Sequence, residues 1–370
     1  MYDLYKKRLA NFFFIVYNNK DFSFGNGFPE QITGGKLMKK RLAIVLSLVL
    51  ALSMLLLTAC GDKPNQDPDN NPVAGDLSSV KVYVGTGGST GTYYGFCNVI
   101  SSLLKEKTGA DLVVQSSGAS KANILDIADG NVDMAIVQND VMDYAYNGTS
   151  LFADVGAIKS FSTLGAAYAE VCQIVARADS GIKTVADLAG KKVSVGDSGS
   201  GVEFNAQQIL GAYDITFDQI EKQNLSFQAS ADALKDGKID AFFCTAGAPT
   251  VAVTDLSTTT GIVLVEIDAE HLAKLQSEYG FYAEYKVPAG TYKGVDADAT
   301  TVAVKATFIV SNDLDEETVY QLTKAIYENK DEYTHEKAAE MSLEYAVSSI
   351  SVPFHPGAER YFKEVGAIAE

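Results

Sequence analysis

Residues 84–95, which read VGTGGSTGTYYG, are the part of the sequence that decides the fold. They follow the alternating run 80–84 (VKVYV), a pattern typical of a β-strand. Apolar residues at helical spacing come after them. The glycines between the two segments predict a tight turn from strand to helix. A strand, a glycine-rich turn and a helix in this order predict the start of an α/β unit.

The same unit occurs a second time. Residues 192–195 (KVSV) predict a strand, residues 196–201 (GDSGSG) a turn, and the apolar positions that follow a helix. A helix-ending glycine follows the first glycine of the turn by 45 residues in the first copy (Gly130) and by 41 in the second (Gly237). We therefore expect an α/β fold of two similar lobes, with a cleft where their turns face each other.

The composition excludes several classes of partner. The chain has 370 residues, with 30 Lys and Arg against 47 Asp and Glu, and a net charge of −17. Nucleic-acid binding and polybasic membrane patches both require clustered positive charge, so we expect no nucleic-acid partner. Three His and four Cys are too scattered for a zinc site or a disulfide framework. We expect no bound metal.

No cofactor motif is complete. Thr90 stands where the dinucleotide motif G-x-G-x-x-G requires its third glycine, and the chain contains no Gly-Lys-Ser/Thr sequence of a P-loop. We therefore expect no cofactor. Cys97, Cys172 and Cys244 lie in apolar segments and are predicted to be buried thiols.

Residues 38–60 (MKKRLAIVLSLVLALSMLLLTAC) have the pattern of a bacterial lipoprotein signal. A basic start is followed by 18 residues without charge, residues 42–59. Residues 57–61 (LTACG) resemble a lipoprotein cleavage box, so residues 38–59 are predicted to be removed and Cys60 to be lipidated. A short uncleaved membrane anchor is the alternative. We expect an extracytoplasmic protein that its lipid attaches to the outer face of the cell membrane.

The segments on either side of this signal are not expected to belong to the fold. Residues 60–79 are rich in Pro, Asn and Asp and predict a lipid-anchored flexible tether. Residues 1–37 precede the signal, which indicates that translation starts at Met38 and that 1–37 are an upstream extension. Gly34, Gly35 and Lys36 support this hypothesis, because their codons would resemble a ribosome-binding site.

Ser89 lies in a G-x-S-x-G motif at residues 87–91, so a serine hydrolase is the alternative function. His355 would be its candidate base. Two features count against it: the motif follows the first strand of the domain, which leaves no earlier loop for an oxyanion hole, and His355 lies among prolines.

A series of motifs identifies a family. In order they are VGTGGSTGTYYG, SGASKANILDIADGNVDMAIVQND, ARADSGIKTVADLAGKKVSVGDSGSG, DGKIDAFFCTAGAPT and VPFHPGAERYFKE. They closely resemble the TAXI-type solute receptors of TRAP transporters (TRAP-associated extracytoplasmic immunogenic proteins), over residues 80–364. The resemblance implies a two-lobed periplasmic-binding-protein fold of type II, without enzymatic activity. It also implies capture of glutamate, glutamine or a related organic acid and delivery to the TRAP membrane permease subunit, which an ion gradient drives.

The resemblance also implies limits for the lobes. Mapped onto this sequence, the first hinge crossing lies near residues 171–177 and the return crossing near residues 266–270. Lobe 1 is then discontinuous, comprising residues 80–172 and 268–370, and lobe 2 is the inserted segment 173–267.

Arginine is nearly absent from the predicted mature chain. Only Arg177 and Arg360 follow residue 59, and neither lies in a turn that faces the predicted cleft. The bidentate clamp that arginine usually forms on a carboxylate is therefore not expected. We expect hydroxyls and amides at the starts of two helices to bind the carboxylate of the solute instead.

The predicted ligand-binding residues are Gly88, Ser89, Thr90, Tyr93, Ser117, Gln138, Tyr168, Ser198, Ser200 and Gly201. Ser117 and Gln138 are expected to contact the far end of the ligand. Tyr93 and Tyr168 are expected to pack along its carbon chain.

Overall fold

The computed structural model describes residues 77–369. The predicted extension 1–37, the signal peptide 38–59, Cys60 and most of the tether 60–79 lie outside the described residues. Within residues 77–369, none of the helices combines the length and the apolar character that a bilayer crossing needs.

The described chain alternates strands and helices. The strands are β1 (Lys81–Gly85), β2 (Asp111–Gln115), β3 (Met134–Gln138), β4 (Phe161–Arg177), β5 (Lys192–Ser194), β6 (Glu221–Gln223), β7 (Ala241–Ala246), β8 (Ile262–Leu264), β9 (Ala283–Val287) and β10 (Ala299–Ser311). The α-helices are α1 (Thr92–Thr108), α2 (Ser120–Ala128), α3 (Asn139–Asn147), α4 (Gly201–Ala212), α5 (Phe227–Lys235), α6 (Val251–Thr259), α7 (Ala269–Glu278), α8 (Glu316–Glu328), α9 (Leu343–Val347) and α10 (Pro356–Glu364). Short 3₁₀ helices cover Ser150–Phe152, Val185–Leu188, Phe217–Gln219, Lys330–Glu332 and Glu336–Glu340.

The strand order shows the repeat directly. The sheet runs β2-β1-β3-β10-β4-β7-β5-β6, with β8 paired to β4 and β9 to β10. β1 is parallel to β2 and β3, and β5 is parallel to β6 and β7, so the order second-first-third occurs on both sides. The predicted α/β fold with two similar lobes is confirmed. Here lobe 1 contains β1 to β3 and lobe 2 contains β5 to β7.

An aspartate occupies the same place in both lobes. The backbone N–H of Tyr83 in β1 donates to Asp133 Oδ2 at 2.8 Å, and that of Lys192 in β5 donates to Asp240 Oδ2 at 2.8 Å. Each carboxylate comes immediately before the third strand of its lobe. It therefore fixes that strand beside the first one.

Two long antiparallel strands connect the lobes. β4 pairs with β10 from Phe161 to Val171 and with β7 from Val171 to Ala176. Along β10, Val304 packs in the core of lobe 2, whereas Ala306 packs in the core of lobe 1. The chain therefore passes between the lobes within β4 and again within β10.

The packing favours a later return crossing than the resemblance implied. Leu272, Leu275 and Tyr282 lie in the same core cluster as Val193 and Ile209 of lobe 2, although they follow the expected crossing at residues 266–270. The helix α7 and the segment that follows it, up to Tyr282, bury these apolar side chains against lobe 2, which explains the difference. We propose a return crossing near residues 304–306; the lobe limits themselves remain a prediction.

Candidate functional site

A cavity of about 170 Å³ lies where the strand-to-helix turns of the two lobes meet. Lobe 1 contributes residues 87–93, lobe 2 contributes residues 200–202, and the crossing strand β4 contributes Glu170. Since about 10–15 Å³ is enough for one water molecule, the cavity has room for a small organic molecule. The lobes also touch beside it, because Thr92 Oγ1 donates to the carbonyl of Gly247 at 3.1 Å.

Most of the predicted ligand-binding residues come together here. The predicted residues that line the cavity are Gly88, Ser89, Thr90, Tyr93, Ser117, Gln138, Ser200 and Gly201. They come from both lobes and from four separate turns. Their contact with a ligand remains a prediction.

Two predicted residues do not line the cavity. Tyr168 is fully buried in the core of lobe 1, where its ring packs edge-to-face on Phe96 with centroids 5.2 Å apart. Along β4, Tyr168 lies two residues before Glu170, towards lobe 1. Ser198 is exposed and does not line the cavity, whereas Ser200, on the other side of Gly199, is buried and lines it. Neither side chain lines the cavity in this structure, and the contact of each with a ligand remains a prediction.

The start of α1 is open to the cavity. Its N-cap is Gly91, which has no side chain to accept the first backbone N–H groups, and the first turn contains no acidic residue. The first N–H groups of a helix have no acceptor within the helix, and its dipole places partial positive charge there. Because Thr92 and Tyr93 line the cavity, this helix start presents unsatisfied donors to an anionic group.

The start of α4 differs, because the chain supplies its own carboxylate there. Glu203 Oε2 accepts the N–H of Gly199 at 2.6 Å, and the backbone N–H of Glu203 donates to Ser200 Oγ at 3.1 Å. Glu203 also forms an ion pair with Lys222 at 2.5 Å. Ser200 therefore caps its own helix. Of the two helix starts that the sequence predicted as equivalent, α1 is the one without a capping side chain or an acidic residue in its first turn, which makes it the better candidate for an anion.

The arginines lie elsewhere, as the sequence predicted. Arg177 Nη2 pairs with Asp179 at 2.8 Å, and Arg360 pairs with Glu316 and Glu317 on α8. Neither lines the cavity, and the residues of the described chain that do line it include no Lys, Arg or His. A carboxylate bound here would be held by amides and hydroxyls.

Sequence reasoning missed Glu170. Its side chain is 2% exposed and lines the cavity, and its Oε2 accepts a hydrogen bond from the Tyr93 hydroxyl at 2.5 Å. Burial raises the pKa of Glu170 well above the usual range of a carboxylic acid. The only signal in the sequence was one acidic residue within an otherwise apolar strand, FSTLGAAYAEVCQIVAR.

A buried polar cluster joins the lobes next to the cavity. Asn205 of α4 accepts a hydrogen bond from Gln138 Nε2 at 3.1 Å. Its own Nδ2 donates to Asp140 Oδ2 at 3.2 Å and to the Tyr282 hydroxyl at 3.0 Å. Gln138 and Asp140 belong to lobe 1, whereas Asn205 and Tyr282 pack with lobe 2. Hydrogen bonds between buried polar groups of this kind fix how the two lobes meet.

The profile of the NMT1-like family matches residues 84–366, most of the described chain. The chain belongs to the NMT1-like family. Among solved structures it is similar to a protein from Bordetella bronchiseptica (16% identity, TM-score 0.49, covering 79% of this chain and 82% of that one). It is also similar to a Prochlorococcus marinus PhnD1 in complex with methylphosphonate (10% identity, TM-score 0.48, covering 78% of this chain and 99% of that one). A third similar structure is a substrate-binding protein of an amino acid ABC transporter (15% identity, TM-score 0.42, covering 70% of this chain and 97% of that one).

The predicted α/β fold of two similar lobes is confirmed by the strand order of this NMT1-like protein. The narrower likeness to TAXI-type receptors stays a prediction. Cys97, Cys172 and Cys244 are free and buried, as expected from their apolar surroundings.

The structure does not bring together a hydrolase pair. Ser89 lines the cavity, but none of the three histidines, all of which lie within residues 77–369, lines it with Ser89. His355 Nδ1 instead accepts the backbone N–H of Gly357 at 3.2 Å, where it caps α10.

Asp140 makes stability depend on pH. Burial raises its pKa from near 4 to about 6, so the folded protein binds a proton more tightly than the unfolded chain. The contribution of Asp140 to stability is then greatest below about pH 4 and is lost as the pH rises through 6, by roughly 3 kcal/mol in total at 1.36 kcal/mol per pKa unit. In Asp140→Asn this fall should be absent from urea unfolding curves measured between pH 4.5 and 7.5. Asp129→Asn, which replaces an exposed acid at the end of α2, is the control and should keep the wild-type profile; a wild-type profile in Asp140→Asn would contradict the assignment.

Proposed function

We propose that this protein is an extracytoplasmic solute-binding protein that captures a small carboxylate-bearing solute, such as glutamate, glutamine or a related organic acid. The observation that carries the proposal is the cavity between the lobes, where the uncapped start of α1 meets residues of both lobes. A ligand held between two lobes stabilises their closed arrangement, which is how binding is converted into a signal that a partner recognises.

Recognition of the carboxylate is proposed to rely on the amides at the start of α1 and on nearby hydroxyls. Thr90 and Ser89 line the cavity just before this helix start, whereas both arginines are engaged in surface ion pairs. Hydrogen bonds to a charged group contribute about 1.5–3 kcal/mol each, which is enough to replace an arginine clamp when several converge.

Calorimetric titration of point variants tests this mode of recognition. A panel of acidic and amide amino acids, 2-oxo acids and dicarboxylates is first screened by thermal shift to find a binder. Thr90→Ala should then weaken binding about ten- to a hundredfold, because one hydrogen bond to the carboxylate is lost. Arg360→Gln is the control and should bind like the wild type. If Arg360→Gln abolished binding while Thr90→Ala left it unchanged, the proposed recognition would be wrong.

Delivery is proposed to go to the membrane permease subunit of a TRAP transporter, with the receptor attached to the outer face of the cell membrane by a lipid on Cys60. The support is the motif series and the signal sequence at residues 38–60.

A receptor does not turn over its ligand, so the purified protein should leave a p-nitrophenyl ester intact. Sustained ester hydrolysis that is lost in Ser89→Ala would favour the serine hydrolase instead.

A further inference from the structure

Glu170 is a buried acid that lines the cavity, and no cationic side chain of the described residues pairs with it. It lies within β4, close to where that strand passes from one lobe to the other, and is 2% exposed. Among residues 77–369, the Tyr93 hydroxyl is the one hydrogen-bond donor to its carboxylate, and no Lys, Arg or His forms an ion pair with it. An ionised carboxylate in such a place is costly unless a cation pairs with it.

The two lysines next to this part of β4 are already engaged. Lys337 forms an ion pair with Glu340 at 2.8 Å, and Glu340 in turn accepts the backbone N–H of Ala169. Lys305 of β10 pairs with Ala169 of β4. Its Nζ donates to the carbonyl of Ser348 at 2.7 Å and to that of Tyr345 at 3.1 Å. A cation that pairs with Glu170 would therefore have to belong to a molecule bound in the cavity.

We infer that the solute carries a protonated amine and that the carboxylate of Glu170 pairs with this amine. The hydroxyl of Tyr93 holds the Glu170 carboxylate in position. The inference rests on the proposed function and narrows it from carboxylate-bearing solutes in general to zwitterionic ones. The carboxylate of the solute would lie at the start of α1 and its ammonium group at Glu170, so the two ends of the cavity complement the two charges of an amino acid. Glu170 is thus the residue that distinguishes an amino acid from an organic acid of the same shape.

The charge of the cavity agrees with this assignment. Its lining contains two acids, Glu170 and Asp197, and no basic residue. A solute with an ammonium group would supply the positive charge that the lining residues of the described chain lack. Burial raises the pKa of Glu170 and so favours its protonated form when the cavity is empty; an ammonium group within hydrogen-bonding distance favours the ionised form, and the proton is released to solvent.

The test uses pairs of solutes that differ only in the amine: glutamate with glutarate, and norvaline with pentanoate. Calorimetric titration of the purified protein should show that the amine-bearing member of a pair binds at least tenfold more tightly. Glu170→Gln keeps the size and the hydrogen-bonding capacity of the side chain but cannot carry a negative charge. It should lose about a hundredfold in affinity for the amino acid and change little towards its amine-free partner.

Controls separate the possible failures. Asp197→Asn removes the other acid of the lining and should keep the wild-type preference, and thermal melting of each variant verifies that it folds. Tyr93→Phe removes only the hydroxyl and should reduce the preference for the amine less than Glu170→Gln does.

If the wild type bound the amine-free solutes equally well or better, or if Glu170→Gln kept the preference for the amine, the inference would be overturned while the proposed function stood. If no small solute of either kind bound, the proposed function itself would fail.

Discussion

Replacing Gly201 by alanine is expected to abolish most solute binding without unfolding the protein. Gly201 is the first residue of α4, lines the cavity from lobe 2 and lies against Gln138 and Val141 of lobe 1. A Cβ atom at this position would lie 2.6 Å from Cδ of Gln138 and 3.1 Å from Cγ2 of Val141. The lobes must then separate or the Gln138 side chain must move, which breaks its hydrogen bond to Asn205.

We expect at least a tenfold loss of affinity from this change, because a hydrogen bond between the lobes is lost and closure is hindered at the cavity itself. Gly211→Ala on the same helix is the matched control. A Cβ atom there meets nothing within 4 Å, so affinity should be unchanged and the helix slightly more stable, by about 0.5–1 kcal/mol. Equal affinity of Gly201→Ala and Gly211→Ala in calorimetric titrations would show that the lobes do not need this close approach.

Replacing Cys60 by serine is expected to release the protein from the membrane completely. Serine has no thiol for the diacylglyceryl group, and a protein without its two acyl chains has no stable attachment. In cells fed a fatty-acid probe, the wild type should carry the label and remain in the membrane fraction. Cys60→Ser should lack the label.

The control for this experiment is Cys97→Ala, which removes a buried thiol of lobe 1 and should keep both the label and the membrane attachment. Persistent label in Cys60→Ser would contradict the lipid anchor. Retention in the membrane fraction without label would favour the uncleaved apolar segment 42–59 as the anchor.

Local signals were sufficient for the repeated unit of the fold. The glycine-rich turns at residues 85–91 and 196–201 lie between a strand and a helix in both lobes, because glycine turns and apolar periodicity act over a few neighbouring residues. The cavity position followed from the same rule, since parallel strands present their carboxyl ends to one edge of the sheet.

Features that depend on distant contacts were not predictable in this way. Tyr168 and Glu170 lie two residues apart in β4, yet one packs in the core and the other lines the cavity, because their surroundings come from α1, β10 and lobe 2. Glu203 places a carboxylate at the start of α4 and accepts a hydrogen bond from Gly199, and no spacing rule distinguishes it from an ordinary exposed glutamate. The crossing between the lobes within β10 was also not predictable, because it depends on which lobe's core buries the residues that precede β10.

The most direct test of the account is a crystal structure of the protein grown with the tightest-binding solute of the screened panel. The account predicts one solute molecule in the cavity between the lobes, with its carboxylate within hydrogen-bonding distance of the backbone N–H groups of Thr92 and Tyr93 at the start of α1. A solute bound at another place, or a carboxylate held by Arg177 or Arg360, would contradict the claim that this cavity is the binding site.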